Sequence, residues 1–186
     1  KKHDEVTSHW DVVQIQHNYI DWKLASGRNV PSEYLYTELA KRNIPVIIME
    51  PLLGGRLSNL PDHVLARLKQ REPEKSAASW AFRYAGTMPM VLTALSGMTY
   101  MEHVQDNLRT YQNFKPLSED EINFLYETAS LINQYPTVPC NDCKYCMPCP
   151  YGVDIPSILL HYNKCVNQGN VAENMQDPEY RRMRQV

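Results

Sequence analysis

PVIIMEPLLGGRL, residues 45–57, runs from an unbroken apolar stretch straight into a glycine-rich segment. The stretch 45–49 is too short for a helix and rich in β-branched residues, so it predicts a buried strand. Apolar residues at successive positions suit a strand covered on both faces, the usual state in a parallel sheet. The loop that follows holds Gly54, Gly55 and Arg56. Glycines there let backbone N–H groups approach a pyrophosphate, and Arg56 adds positive charge. An ordinary turn is the plain alternative.

The flanks repeat the theme. Upstream, DVVQIQ (11–16) predicts a second short strand, and residues 17–29 form a loop. A helix opens at Pro31-Ser32 and runs to about Arg42, with Leu35, Leu39 and Ala40 at helical spacing. Downstream, helices are expected over 63–70 and 74–84, the latter carrying small residues Ala77, Ala78 and Ala81 beside Phe82. MVLTAL (90–95) predicts a third strand. Ser96-Gly97-Met98-Thr99 turns the chain into a helix over 101–111, and the free N–H groups at its start favour an anion. Ser118 and Glu121 form a capping box before a helix over 119–133, striped with Ile122, Leu125, Ala129 and Ile132. Strands alternating with helices argue for an α/β fold with parallel strands and helical crossovers. Three strands leave two open edges, so either the domain is small and open or strands are missing, and the polar start favours missing strands.

Bulk properties narrow the function. The 186 residues carry a formal charge of −2 and make about one domain. No basic run precedes RRMR (181–184), so no nucleic-acid footprint is expected. No apolar stretch approaches the roughly 20 residues of a membrane span. The start, KKHDEVTSHWD, has no signal-peptide core and reads as the middle of a longer protein. Cysteine usage points to the cytoplasm.

Four of the five cysteines fall in CNDCKYCMPCP, residues 140–150. Disulfides between neighbours three residues apart would be strained and close no long loop. Plain core thiols fit poorly among Asn, Asp, Lys and Pro. Structural zinc commonly uses two C-x2-C pairs with a longer spacer. A [4Fe–4S] cluster suits successive C-x2-C steps best: Cys140, Cys143 and Cys146 match the first three positions of C-x2-C-x2-C-x3-C-P. Cys149-Pro150 keeps the ending with a gap one residue shorter. The fourth ligand is Cys149, Cys165 or a cysteine outside the chain; Cys165, alone in a helix over 155–166, reads as a small core residue.

Residues 140–156, C-x-x-C-x-Y-C-M-P-C-P-x-G-V-D-I-P, resemble the iron–sulfur segment of aldo/keto reductases whose barrel is followed by a ferredoxin-like extension. WDVVQIQHNYID (10–21) resembles the sixth barrel strand of that family, VIIMEPLLGGRL (46–57) the seventh strand and its cofactor loop, and LTALSGMTYMEHVQDNL (92–108) the eighth strand and the helix gripping the adenosine phosphate. The resemblance implies the last three strands of a (β/α)8 barrel over 1–135, then an incomplete, mostly helical cysteine-rich extension over 136–186. It implies a nicotinamide-dependent carbonyl or alcohol oxidoreductase, using NAD or NADP and a [4Fe–4S] cluster held by Cys140, Cys143, Cys146 and Cys149. A second cysteine motif, usual in that extension, does not follow. The family's catalytic Tyr, Asp, Lys and His belong to early strands, and no segment here matches them; His17 and Tyr19 are not substitutes. The chain thus reads as a piece cut at both ends, or a gene product that has lost both, with carbonyl-reductase activity expected to be missing.

By the same resemblance, Gln14 matches the glutamine that binds the nicotinamide amide, with Gln16 on the same face as the rival. Gly54, Gly55, Arg56, Ser96, Gly97 and Met98 line the phosphates, and Asn107 contacts adenine. Gly97 and His103 stand where many members carry basic residues for the NADP 2′-phosphate. Glu50 stands where a stacking aromatic or small polar residue is common. Trp10, Trp22, Trp80, Met98 and Met101 read most simply as packing residues, and Arg28, Lys41 and Arg42 as solvated charges. Expected partners are the missing barrel half or a second copy at the open sheet edges, and an electron donor or acceptor protein. A structural iron–sulfur or zinc staple without redox turnover is the alternative function.

Overall fold

Three parallel strands in sequential order, β1 (Val13–Gln16), β2 (Val46–Met49) and β3 (Val91–Ala94), form the sheet. They are seen in a computed structural model that describes residues 10–24, 31–112, 114–170 and positions 176, 178 and 181. Residues 1–9, Arg28 and 182–184 lie outside the described residues. The helices among the described residues are α1 (Asp21–Leu24), α2 (Ser32–Ala40), α3 (Asp62–Arg71), α4 (Ala77–Thr87), α5 (Met101–Gln112), α6 (Glu119–Asn133) and α7 (Ile155–Asn167). The chain divides into two compact units, 1–130 and 131–186. No helix among the described residues is long and apolar enough to cross a membrane.

β1 and β2 pair in continuous register from Val13↔Val46 to Gln16↔Met49. β2 and β3 start in step at Val46↔Val91, but Ile47 then pairs with Thr93. Leu92 is therefore an extra residue, an irregularity rare in parallel pairs. The shift turns Val91 and Ala94, three apart, toward the same core. That core holds Ile15, Val46, Ile48 and Ala85, packed against Leu35, Tyr36 and Leu39 of α2. Val46 and Ile48 are 0% exposed, and each such burial stabilises the unit by about 1.5–3 kcal/mol. On the other sheet face Ile47 and Met49 are only half-buried, while Gln14 and Thr93 are exposed. The expectation of cover on both faces thus fails for β2 among the described residues, because α2 and α4 supply only one helical layer.

Helix α4 begins at Ala77, three residues later than its apolar pattern predicts. Ser76 is the reason: its side chain accepts the Ser79 N–H at 2.9 Å, and Lys75 closes a turn onto the Glu72 carbonyl. Ala77, Ala81 and Ala85 are buried, letting the backbone approach its neighbours, and Trp80, Phe82 and Tyr84 fill the space around them. Arg83 lies between Glu72 and Glu121 and covers the Trp80 ring. Burial works against the Glu121 carboxylate, but the Ser118 hydrogen bonds and the Arg83 charge outweigh it and leave its pKa below the ordinary value. The capping box forms as predicted: Glu121 accepts the Ser118 N–H at 2.8 Å, and Ser118 Oγ accepts the Glu121 N–H at 3.3 Å. Leu125 and Ala129 are buried along the predicted stripe.

Three packing expectations fail. Trp22 and Trp80 are buried, but Trp10 is exposed. Met98 and Met101 are exposed as well, because α5 turns Thr110 inward and points Met101 and Leu108 to solvent.

In the second unit, the Asn163 side chain imitates a backbone partner. Its Oδ1 accepts the Val138 N–H and its Nδ2 donates to the Val138 carbonyl, at 2.8 and 2.9 Å. This ties the strand-like approach to the cysteines onto α7, itself capped by Asp154. No residue between 134 and 155 is buried.

Candidate functional site

Parallel strands send all their exits to one edge of the sheet, where α/β proteins place their ligands. Here that edge carries Gln16, Met49 and Ala94, and the segments 17–20, 50–58 and 95–100 leave from it. The ladder extends one step further on each side, His17 N–H to the Met49 carbonyl at 3.1 Å and Leu95 N–H to the Ile48 carbonyl at 2.8 Å.

The two glutamines separate. Gln14 is exposed, with Nε2 3.3 Å from the Met49 sulfur. Gln16 donates to the Asp21 carboxylate. Of the pair, Gln14 is the one whose amide faces open space, while Gln16 serves a buried network.

That network is built on Asn18, fully buried. Asn18 Oδ1 accepts the N–H groups of Ile20 and Asp21 at 3.0 and 2.9 Å. Its Nδ2 donates to Asp21 Oδ2 at 2.9 Å and to the Glu50 carbonyl at 3.1 Å. Sequence reading missed this residue. The one available signal was Asn three positions before Asp, the pattern of a side chain capping its own turn.

His17 and Tyr19 are both buried. The His17 ring stacks on Tyr84 at 5.2 Å and meets Trp22 edge-on at 5.1 Å, and Nδ1 lies 3.4 Å from Ser32 Oγ. Burial lowers the imidazole pKa to about 4, so it is neutral at pH 7. Burial pushes the Tyr19 phenol up. Neither group is placed to exchange a proton with a solvent-facing substrate.

Residues 51–58 coil through successive turns. Gly54 and Gly55 have φ of +63° and +88°, conformations glycine adopts without strain. The Gly55 and Arg56 N–H groups donate to the carbonyls of Leu52 and Leu53. The loop thus closes on itself through two of the amides expected to face a pyrophosphate, those of Gly55 and Arg56, and the half-buried Arg56 side chain is its charged element. The third loop is joined to its helix: Asn107 Nδ2 donates to Ser96 Oγ at 3.0 Å, bringing together two predicted site residues eleven positions apart. A side chain added at Gly97 would meet nothing within 4 Å, and Met98 is exposed. Asp106 instead accepts a hydrogen bond from Ser76, the α4 cap.

None of the five cysteines forms a disulfide among the described residues. Cys143 and Cys146 are exposed and Cys140 and Cys149 half-buried, so the core-thiol alternative fails for this segment. Cys165 is 3% exposed, as a small core residue should be, with Sγ 3.6 Å from His161 Nε2. Asp142 and Lys144, on either side of Cys143, both adopt left-handed φ, +56° and +60°. Among the described residues no group of three or more His, Cys, Asp or Glu side chains is gathered as a metal site.

Parallel strands followed by helices, with the candidate loops on the strand-exit edge, define an α/β protein whose three strands fit part of a (β/α)8 barrel. The sequence profile of the aldo/keto reductase family matches residues 1–129, and the chain belongs to that family of oxidoreductases. The matched region contains Gln14, the 51–58 loop, Ser96 and Asn107, and stops short of the cysteines. No curated protein matches the chain, and no solved structure does.

Proposed function

We propose that the first unit carries the nucleotide-facing edge of a nicotinamide-dependent carbonyl or alcohol oxidoreductase, and that Cys140, Cys143, Cys146 and Cys149 hold a [4Fe–4S] cluster. The observation that carries the nucleotide reading is the Ser96–Asn107 bond. It joins the β3 exit to α5 beside an exposed Gly97, the surface an adenosine phosphate would need. Gln14, with its amide exposed on the sheet face, would orient the nicotinamide amide. Arg56 would counter phosphate charge. A bound reduced nicotinamide supplies hydride to a carbonyl carbon.

The donor chemistry of the cysteine segment fits the cluster. Four free thiols recur every third residue, and left-handed residues flank Cys143, turning the chain tightly between successive sulfurs. The segment has no buried residues, so metal–sulfur bonds would replace the missing core. When bound, the cluster would supply single-electron transfer to a donor or acceptor protein. The same lack of a core favours one second reading, a purely structural iron–sulfur or zinc staple. Cytoplasmic residence follows from an oxygen-sensitive cluster.

Anaerobic reconstitution with iron and sulfide tests the cluster. Bound iron and acid-labile sulfide with charge-transfer absorption support it; zinc alone in the native protein overturns it. A cluster that low-potential donors cannot reduce supports the staple. Fluorescence titration with NADH and NADPH tests the nucleotide edge. Carbonyl reduction by the chain alone is expected to be absent; its open sheet edges call for the missing barrel half or a second copy.

A further inference from the structure

We infer that Asn18 is a positioning residue that sets the aim of the 51–58 loop by locking Glu50 in a left-handed conformation, an inference that rests on that loop being part of the nucleotide edge. Glu50 has φ of +55°, a region that non-glycine residues enter only under constraint. It is the residue between β2 and the loop, so its backbone angles decide where Gly54, Gly55 and Arg56 are presented. The constraint is visible. Asn18 Nδ2 donates to the Glu50 carbonyl from across the β1 exit. The donor cannot swing away. Asn18 is 0% exposed, and its other polar atom accepts two N–H groups.

Asp21 completes the lock. Its carboxylate takes the second Asn18 N–H and the Gln16 amide, fixing which way the Asn18 side chain points. The Glu50 carbonyl also accepts the Leu53 N–H that begins the loop's run of turns. One carbonyl therefore joins the clamp, the left-handed residue and the first turn. Few substitutions preserve all of this. Asp at position 18 keeps the acceptor and loses the donor to Glu50, and Ala loses both.

Amide hydrogen exchange on the intact chain provides the first readout, and it needs no nucleotide. Asn18→Ala is expected to speed exchange in residues 51–58 roughly tenfold, the loss of about one buried hydrogen bond, while α4 stays protected. Asn18→Asp should act in the same direction. The decisive variant is Glu50→Gly, since glycine adopts the left-handed region without a clamp. Adding it to Asn18→Ala should restore loop protection to within about twofold. The second readout is NADH affinity by fluorescence. Asn18→Ala should weaken it about tenfold and Glu50→Gly should recover it. Equal acceleration across loop and α4, or no rescue by glycine, overturns the inference. If the wild-type chain binds no nucleotide, the nucleotide reading fails, whereas loop-specific exchange with glycine rescue still upholds the clamp.

Discussion

The sheet unit and the cysteine segment solve the problem of polar atoms in opposite ways. Around β1, Asn18 makes four hydrogen bonds in a fully enclosed site, while His17 Nε2 and the Tyr19 hydroxyl are buried without a partner. Between 134 and 155 nothing is buried, Tyr145 is 95% exposed, and two thiols face solvent. The first region derives its shape from its own residues. The second has four closely spaced thiols and no core of its own.

Four experiments press on that contrast. Trp80→Ala should cost the sheet unit about 3–5 kcal/mol in urea unfolding followed by far-ultraviolet circular dichroism, because the ring is fully buried. A loss below about 1 kcal/mol would mean that the unit is not held by its core.

His17 comes next. Its folded pKa of about 4 lies below its ordinary 6.5, so between those values the unfolded chain binds a proton that the folded chain refuses. Stability should therefore rise with pH across that window, by about 3 kcal/mol in total, and be fully present above it. In His17→Gln the slope should flatten; an unchanged slope would assign the proton uptake elsewhere.

Ser118→Ala removes half of the capping box and should cost about 1 kcal/mol. The smallest effect should come from Cys143→Ser, less than about 0.5 kcal/mol on unfolding of the sheet unit, since the thiol is exposed. The same variant should lower iron incorporation sharply. A large stability change without metal would show that the thiol contributes packing, and would erase the distinction between the regions.

How far the sequence could be read follows the same division. β2 was legible because PVIIM leaves no helical alternative at that length, and α6 because Ser118 and Glu121 mark its start within four residues. The α4 start was misread although Ser76 announced it, since Glu74 and Lys75 are good helix formers in a turn. Cover on both faces of β2 was an inference from local composition, and composition does not say how many layers exist. The Ser96–Asn107 bond was half-legible: both residues were singled out, but not their contact. The Asn18 network was not legible, because its meaning depends on Glu50, which is 32 residues away. The exposure of Met101 and Trp10 was misread for a related reason, as apolar character gives no direction.

The extra residue in β3 takes up slack in the strand. Everything beyond Leu92 sits one position less far along the sheet than an unbroken pairing with β2 would place it. Deleting Leu92 alone would restore an unbroken pairing and leave Ser96 and Gly97 in place, because Thr93 already stands opposite Ile47. The reach of the third loop is thus about 3.3 Å, the rise of a single residue, shorter than the residue count of β3 would give it.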